Sequence, residues 1–225
     1  MNRPQEASAY NLRQVQDLKK LVQRGEGSYL EFKRKASDPD KIVREMIAFA
    51  NTRGGILLLG VGDDRSLPGL KYPEGESHVI REALRKCKPA LVLKEFFIPI
   101  GNARTVIQYQ IPESKNKPHY QLLDKEKGSY VRVNDQSITA SREMREIIKR
   151  AARKKDIRFH YGEHEQFLME YLEAHEFITL KKFIELRGLN PSYASKKMIL
   201  LVLANVLEIT PHEKGDLYSL AFGKD

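Results

Sequence analysis

The stretch from residue 26 to residue 64 constrains this chain more than any other. It reads Glu-Gly-Ser-Tyr-Leu-Glu-Phe-Lys (26–33), then Ala-Phe-Ala-Asn-Thr-Arg-Gly-Gly (48–55), then Gly-Val-Gly-Asp-Asp (60–64). Residues 29–34 alternate as a strand would. Ser37-Asp38-Pro39 then offers a capping side chain followed by a proline suited to a first helical turn. The helix that starts there buries Ile42, Val43, Met46, Ile47 and Phe49, and stops at Gly54-Gly55, which tolerate a left-handed C-terminal turn. Residues 56–62 are apolar without alternation, which predicts a strand covered on both faces.

Helical spacing of Leu12, Val15, Leu18 and Val22 predicts a helix over 11–24, broken by Gly25 and Gly27. A second helix is predicted over 76–87, stopped by Pro89. Strands at 91–100 and 104–111 flank a Gly101-Asn102 turn, and shorter strands are expected near 120–124 and 129–134. A helix over 141–155 turns Met144, Ile147, Ile148 and Ala151 inward and carries Arg142, Arg145, Lys149 and Arg153 as an outward stripe. Residues 156–162 read as a linker. Beyond it, helices over 163–174, 179–187 and 192–206 precede a two-stranded wing at 206–210 and 217–221, the pattern of a winged helix-turn-helix. The fold class is α+β, with one mixed sheet-and-helix domain over 1–155 and a small winged-helix domain over 163–225.

Charge is unevenly placed in this 225-residue chain of net charge +9. Residues 161–225 carry 7 Lys+Arg against 10 Asp+Glu, and residues 1–160 carry 32 against 20. Because phosphate-backbone affinity grows with the number of cations presented, the first domain is the expected nucleic-acid surface. The longest apolar run is far too short to span a bilayer and the N-terminus has no apolar signal core, so no membrane role and a cytoplasmic location are expected. The single cysteine, Cys87, rules out an internal disulfide framework and a cysteine-rich zinc module.

Residues two apart share a strand face, so Glu31 and Lys33 point together, away from Leu30 and Phe32. Glu26 has the wrong parity and joins that face only if Gly25 and Gly27 turn the chain. Asp63 stands where the buried strand emerges. Three carboxylates brought together repel unless protonated or bridged by a cation, and oxygen-only ligands suit Mg²⁺ or Mn²⁺. On spacing alone, a solvated Glu31–Lys33 pair and a turn at Asp63-Asp64 stand as the competing reading. No nucleotide cofactor is expected: there is no Gly-x4-Gly-Lys-[Ser/Thr], and Gly54-Gly55 precedes a strand rather than a helix.

The ordered motifs Glu26-x4-Glu31-Phe32-Lys33, Ala48-Phe49-Ala50-Asn51-Thr52-x-Gly54-Gly55 and Gly60-Val61-x-Asp63-Asp64, with Gly69, Lys117-Pro118-His119, Tyr130-Val131-Arg132 and Ala140-Ser141, resemble the AlbA-type nucleic-acid-binding domain of the Schlafen family. The resemblance spans about residues 14–150. It implies a metal site of two glutamates and an aspartate, matching Glu26, Glu31 and Asp63, as in Schlafens that cleave tRNA and rRNA. Lys33 would steady the phosphate or the attacking water. Phosphate contacts are expected at Lys33, Arg34, Lys35, Arg53, Arg132, Arg142, Arg145, Lys149 and Arg153.

The departures from the pattern are as plain. Animal Schlafens carry two such lobes and a Cys/His zinc site, whereas one lobe and one cysteine are present here. The expected function is Mg²⁺- or Mn²⁺-dependent endoribonuclease action on structured, tRNA-like RNA. The rival is a non-catalytic DNA-binding regulator using both domains. A homodimer is expected, since a twofold pair would restore a two-lobed clamp.

Overall fold

The computed structural model describes residues 4–123, 126–152 and 160–221. Contacts divide the chain into two compact units, residues 1–137 and 138–225. Among the described residues, no helix is long and apolar enough to cross a membrane.

In the first unit, α1 (Pro4–Arg24) leads into β1 (Leu30–Lys33), α2 (Pro39–Asn51) and β2 (Gly55–Leu59). The helix α2 begins where the sequence predicts: Pro39 opens the first turn and the Asp38 side chain accepts from the Lys41 backbone N–H at 2.9 Å. Its end is set by Gly54, whose φ of +78° places its N–H on the Phe49 carbonyl at 2.8 Å. The helix makes the crossover that parallel strands require, and β1 pairs in parallel with β2 from Leu30↔Ile56 to Lys33↔Leu59.

The chain continues through α3 (Pro73–Leu84), β3 (Cys87–Lys88), β4 (Lys94–Gly101) and β5 (Arg104–Ile111). The main sheet has the order β1-β2-β5-β4. Its third and fourth strands form the predicted hairpin, with Asn102 and Ala103 both at positive φ in the turn. One sheet face packs on α2 through Phe49, Leu57, Leu59, Ile107 and Tyr109, and the other on α1 through Leu18, Val22, Leu58 and Val106. Four short strands finish the unit: β6 (Tyr120–Leu123), β7 (Glu126–Gly128), β8 (Tyr130–Val133) and β9 (Gln136–Thr139), whose last residues open the second unit.

The family-like motifs have structural employment here. Asn51, at the end of α2 and 2% exposed, donates to the carbonyls of Tyr130 at 2.9 Å and His119 at 3.2 Å and accepts from the His119 N–H at 2.7 Å. It stitches the helix end to β8 and to the chain before β6. Replacing it by an apolar residue would strand three buried backbone groups.

The second unit holds α4 (Arg142–Ala151), α5 (Glu163–Ala174), β10 (Ile178–Thr179), α6 (Leu180–Arg187), α7 (Pro191–Leu203), β11 (Leu207–Thr210) and β12 (Leu217–Leu220). Its small sheet runs β10-β12-β11, and its core gathers Leu168, Phe183, Met198, Leu201 and Tyr218. The division falls at 137/138 rather than at the predicted linker 156–162, of which 156–159 lie outside the described residues. The reason is α4: it packs against α7, and its Glu143 accepts from the Ser195 hydroxyl at 2.6 Å. An amphipathic helix declares that it has an apolar face but not which core that face covers.

Candidate nucleic-acid interface

Gly25, at φ +78°, turns the chain after α1, and Gly27 and Leu30 exchange backbone hydrogen bonds across a tight bridge. This brings Glu26 alongside β1, where its Oε1 accepts from the Phe32 N–H at 2.8 Å. The wrong-parity glutamate thus reaches the strand by the turn its flanking glycines permit. Its carboxyl sits above the usual range, first because it is partly withdrawn from water and then because Glu31 and Asp63 repel it. The Phe32 N–H and Lys33 pull the other way.

Glu31 is not the solvated residue that a surface reading makes of it. It is 6% exposed, with Oε1 on the Lys33 ammonium and Oε2 2.7 Å from Arg132 Nη2. Arg132 is the largest departure from expectation. Proposed as a phosphate contact, it has a side chain only 1% exposed. Its guanidinium also donates to Glu45 at 2.9 Å, to the Gly27 carbonyl at 2.9 Å and to Ser137 at 3.3 Å, and lies 4.9 Å over the Phe49 ring. Every N–H of the fork is used, so Arg132 is a buried clamp joining β1, α2 and β8 rather than a nucleic-acid contact. Sequence reasoning missed Glu45 for the same reason: an acid in mid-helix gives no hint that it faces an arginine 87 residues away.

Glu31 has both oxygens committed to protein cations, Oε1 to the Lys33 ammonium and Oε2 to Arg132, which leaves neither free for a Mg²⁺ or Mn²⁺ ion. Among the described residues, no group of three His, Cys, Asp or Glu side chains is placed to hold an ion. As arranged, Glu26, Glu31 and Asp63 do not fit a three-carboxylate metal site.

A basic groove does form beside them. A cavity of about 540 Å³ is lined by Lys33, Arg34, Lys35 and Lys41 together with the acids Asp63 and Asp38, the α2 cap. Arg34, Lys35, Lys41 and Asp63 are exposed. Among the described residues none of those three cations makes a salt bridge. Lys41 is a groove residue that sequence reasoning passed over, although its place in the first turn of α2, next to Lys33-Arg34-Lys35, could have found it. Asp64 accepts from the Ser66 hydroxyl at 2.6 Å and N–H at 3.0 Å, and these bonds, with a smaller contribution from Arg34, hold its carboxyl below the usual range.

The remaining predicted contacts are not among the residues that line this cavity. Arg53 is exposed at the far end of α2, about 20 Å along the helix axis from Lys41, with Nη1 3.5 Å from the Tyr29 hydroxyl. Arg142, Arg145 and Lys149 belong to α4 in the second unit, where Arg145 reaches the Ala140 carbonyl at 3.3 Å. Arg153 lies outside the described residues.

Comparisons with known proteins follow the same residues. No curated protein matches the sequence. Among solved structures, the chain is similar to the DIP2311 protein from Corynebacterium diphtheriae, at 16% identity and a TM-score of 0.43, over 84% of this chain and 34% of that one. The present chain therefore spans about a third of that protein's length. The family described as Schlafen, AlbA_2 matches residues 26–141, from the glutamate that caps the β1 turn to the serine that caps α4. That match takes in the basic groove, the Arg132 clamp and the Asn51 stitch, and places the chain in the Schlafen AlbA_2 family of nucleic-acid-binding domains.

Proposed function

We propose that the protein binds the phosphate backbone of nucleic acid in the groove of Lys33, Arg34, Lys35 and Lys41. The observation that carries this is the groove itself: four cations line one open cavity, three of them (Arg34, Lys35 and Lys41) exposed, and of the two acids that also line it Asp38 is occupied in capping α2. Cations held on a short strand end and a helix start present a fixed charge pattern, which positions a backbone without reading its sequence. The first unit, whose residues 1–137 carry 24 Lys+Arg against 17 Asp+Glu, is the binding unit.

The second unit is read as a winged helix: three helices, α5 to α7, followed by the β11–β12 hairpin. Its α7 would be the DNA-reading helix, but Ser195 is bonded to Glu143 and Lys197 to Glu165, leaving Ser192, Tyr193 and Lys196 exposed. This favours protein contact over groove reading, and so favours binding by the first unit alone over a regulator that uses both. Removing Lys196 (Lys196→Ala) is expected to leave DNA and RNA affinity within about twofold of wild type in a filter-binding assay, because the groove carries the affinity. A tenfold loss would return DNA binding to α7.

A second reading, Mg²⁺- or Mn²⁺-dependent cleavage of structured, tRNA-like RNA, requires Glu31 to release its protein cations, and what favours it is the turn at Gly25 and Gly27 that brings Glu26 onto β1 beside Glu31, with its Oε1 2.8 Å from the Phe32 N–H. Glu31→Gln is a poor probe of it, since it also breaks a buried ion pair. Glu26→Gln and Asp63→Asn are better, since neither enters the Arg132 clamp. If this reading holds, Mn²⁺ produces cleavage products on a denaturing gel, EDTA abolishes them, and both variants cut less while binding as well. RNA left intact by wild type with Mn²⁺ removes this reading and leaves binding. The homodimer is proposed on the resemblance to a two-lobed clamp alone; light scattering at micromolar concentration decides it, a monomer with and without RNA counting against it.

A further inference from the structure

Away from the basic groove, the α1 face of the main sheet is only partly covered. Two rows cross this face in register: Leu58–Gln108–Phe96 and Ile56–Gln110–Lys94. The next row, Ile98–Val106, is buried under Leu18 and Val22 of α1. Beyond it α1 no longer seals against the sheet, and two cavities open that share Gln110. One, about 480 Å³, runs between α1 and the sheet past Lys20, Arg24, Gln108 and Phe96. The other, about 440 Å³, lies at the end of β2 and β5 beside Tyr29, Val92 and Lys94.

The composition of this trough is specific. Phe96 is 37% exposed on the sheet and Tyr29 51% exposed at its end, so two aromatic rings stand in water. Side-chain amides from Gln108 and Gln110 lie between them on the strands, and Lys20, Arg24 and Lys94 supply positive charge along the rim against one acid, Asp17. Aromatic rings on a sheet, amides that can pair with base edges, and flanking cations are what an unstacked strand requires. Bases stack on aromatic faces at little cost in sequence preference, and cations follow the backbone. A duplex, with its bases paired and stacked inside, has nothing to offer the rings.

We infer that this trough is a second subsite, which holds unpaired nucleotides of a single strand with bases stacked on Phe96 and Tyr29. The inference rests on the nucleic-acid-binding reading above but assigns the strand's bases to a different surface from the phosphate groove. It predicts that wild type prefers a single-stranded oligonucleotide to a blunt hairpin of the same length.

The test is fluorescence anisotropy on the full chain with a labelled 12-nucleotide RNA, the matching DNA and a blunt hairpin. Phe96→Ala and Tyr29→Ala are each expected to weaken single-strand binding about tenfold, the range of one lost base stack, with hairpin binding changed less than twofold. Circular dichroism melts verify that Phe96→Ala stays folded. Tyr29→Ala, at an exposed loop residue, keeps the test alive if it does not. Equal affinity of wild type for strand and hairpin, or unchanged single-strand affinity in a folded variant, overturns the inference. So does competition by AMP at the strand's own concentration, which would make the trough a mononucleotide site. A loss of roughly a hundredfold in the Arg34→Glu/Lys35→Glu variant, with Tyr29→Ala still weakening the remaining single-strand binding about tenfold, keeps the two sites distinct. No binding of any nucleic acid by wild type fails the parent reading rather than the trough.

Discussion

Arg132→Met is expected to destabilise the first unit by about 3–5 kcal/mol, the cost of breaking a buried pair by removing one partner. The methionine fills much of the volume but leaves buried Glu45 without its cation, Glu31 with Lys33 alone, and the Gly27 carbonyl without its donor. At about 2–4 °C per kcal/mol for a chain of this size, the melting temperature falls by roughly 10 °C or more. Arg132→Lys does not restore it, because an ammonium cannot span both carboxylates and the Gly27 carbonyl as the planar fork does. A thermal melt followed by circular dichroism checks both. An Arg132→Met protein as stable as wild type would show the clamp to be dispensable, and would reopen Arg132 as a residue kept for its ligand.

The second large effect is on binding. Arg34→Glu/Lys35→Glu reverses two exposed cations of the groove and is expected to lower affinity for RNA and DNA on the order of a hundredfold at low salt, whatever the sequence tested. Stability should be unchanged, since neither side chain is buried. Because these contacts are to phosphate, the loss should be uniform across oligonucleotides. A loss confined to one sequence would mean base reading.

The strand–helix–strand heart of the fold was legible because each boundary has a local cause: Asp38-Pro39 starts α2, Gly54 ends it, and the unbroken apolar run makes β2 a central strand. The approach of Glu26 to β1 was legible as a condition, since only glycines at 25 and 27 permit it. What could not be read was which charges go inside. Arg132 sits in a short alternating strand, where an arginine ordinarily points to water, and its partners Glu31 and Glu45 lie 101 and 87 residues away. Long-range pairing leaves no periodic trace. The same blindness hid the clamp on Glu31: a Glu-x-Lys pair on a strand face looks identical whether its third partner is an ion or a buried guanidinium.

The trough on the α1 face was hidden for a related reason. Phe96 and Phe97 follow each other in an ordinary apolar strand, and only the cross-strand register, which sets Phe96 beside Gln108 on the α1 face and Phe97 beside Ile107 on the other, separates them.

The central claim is that the groove of the first unit holds a nucleic-acid backbone by charge. The direct measurement is the dependence of log K on log salt concentration for wild type and for Arg34→Gln/Lys35→Gln. Wild type should give a straight line of negative slope, and the double variant a shallower one, by roughly 2 for single contacts at each residue. A salt-independent affinity, or the same slope in both proteins, would contradict it.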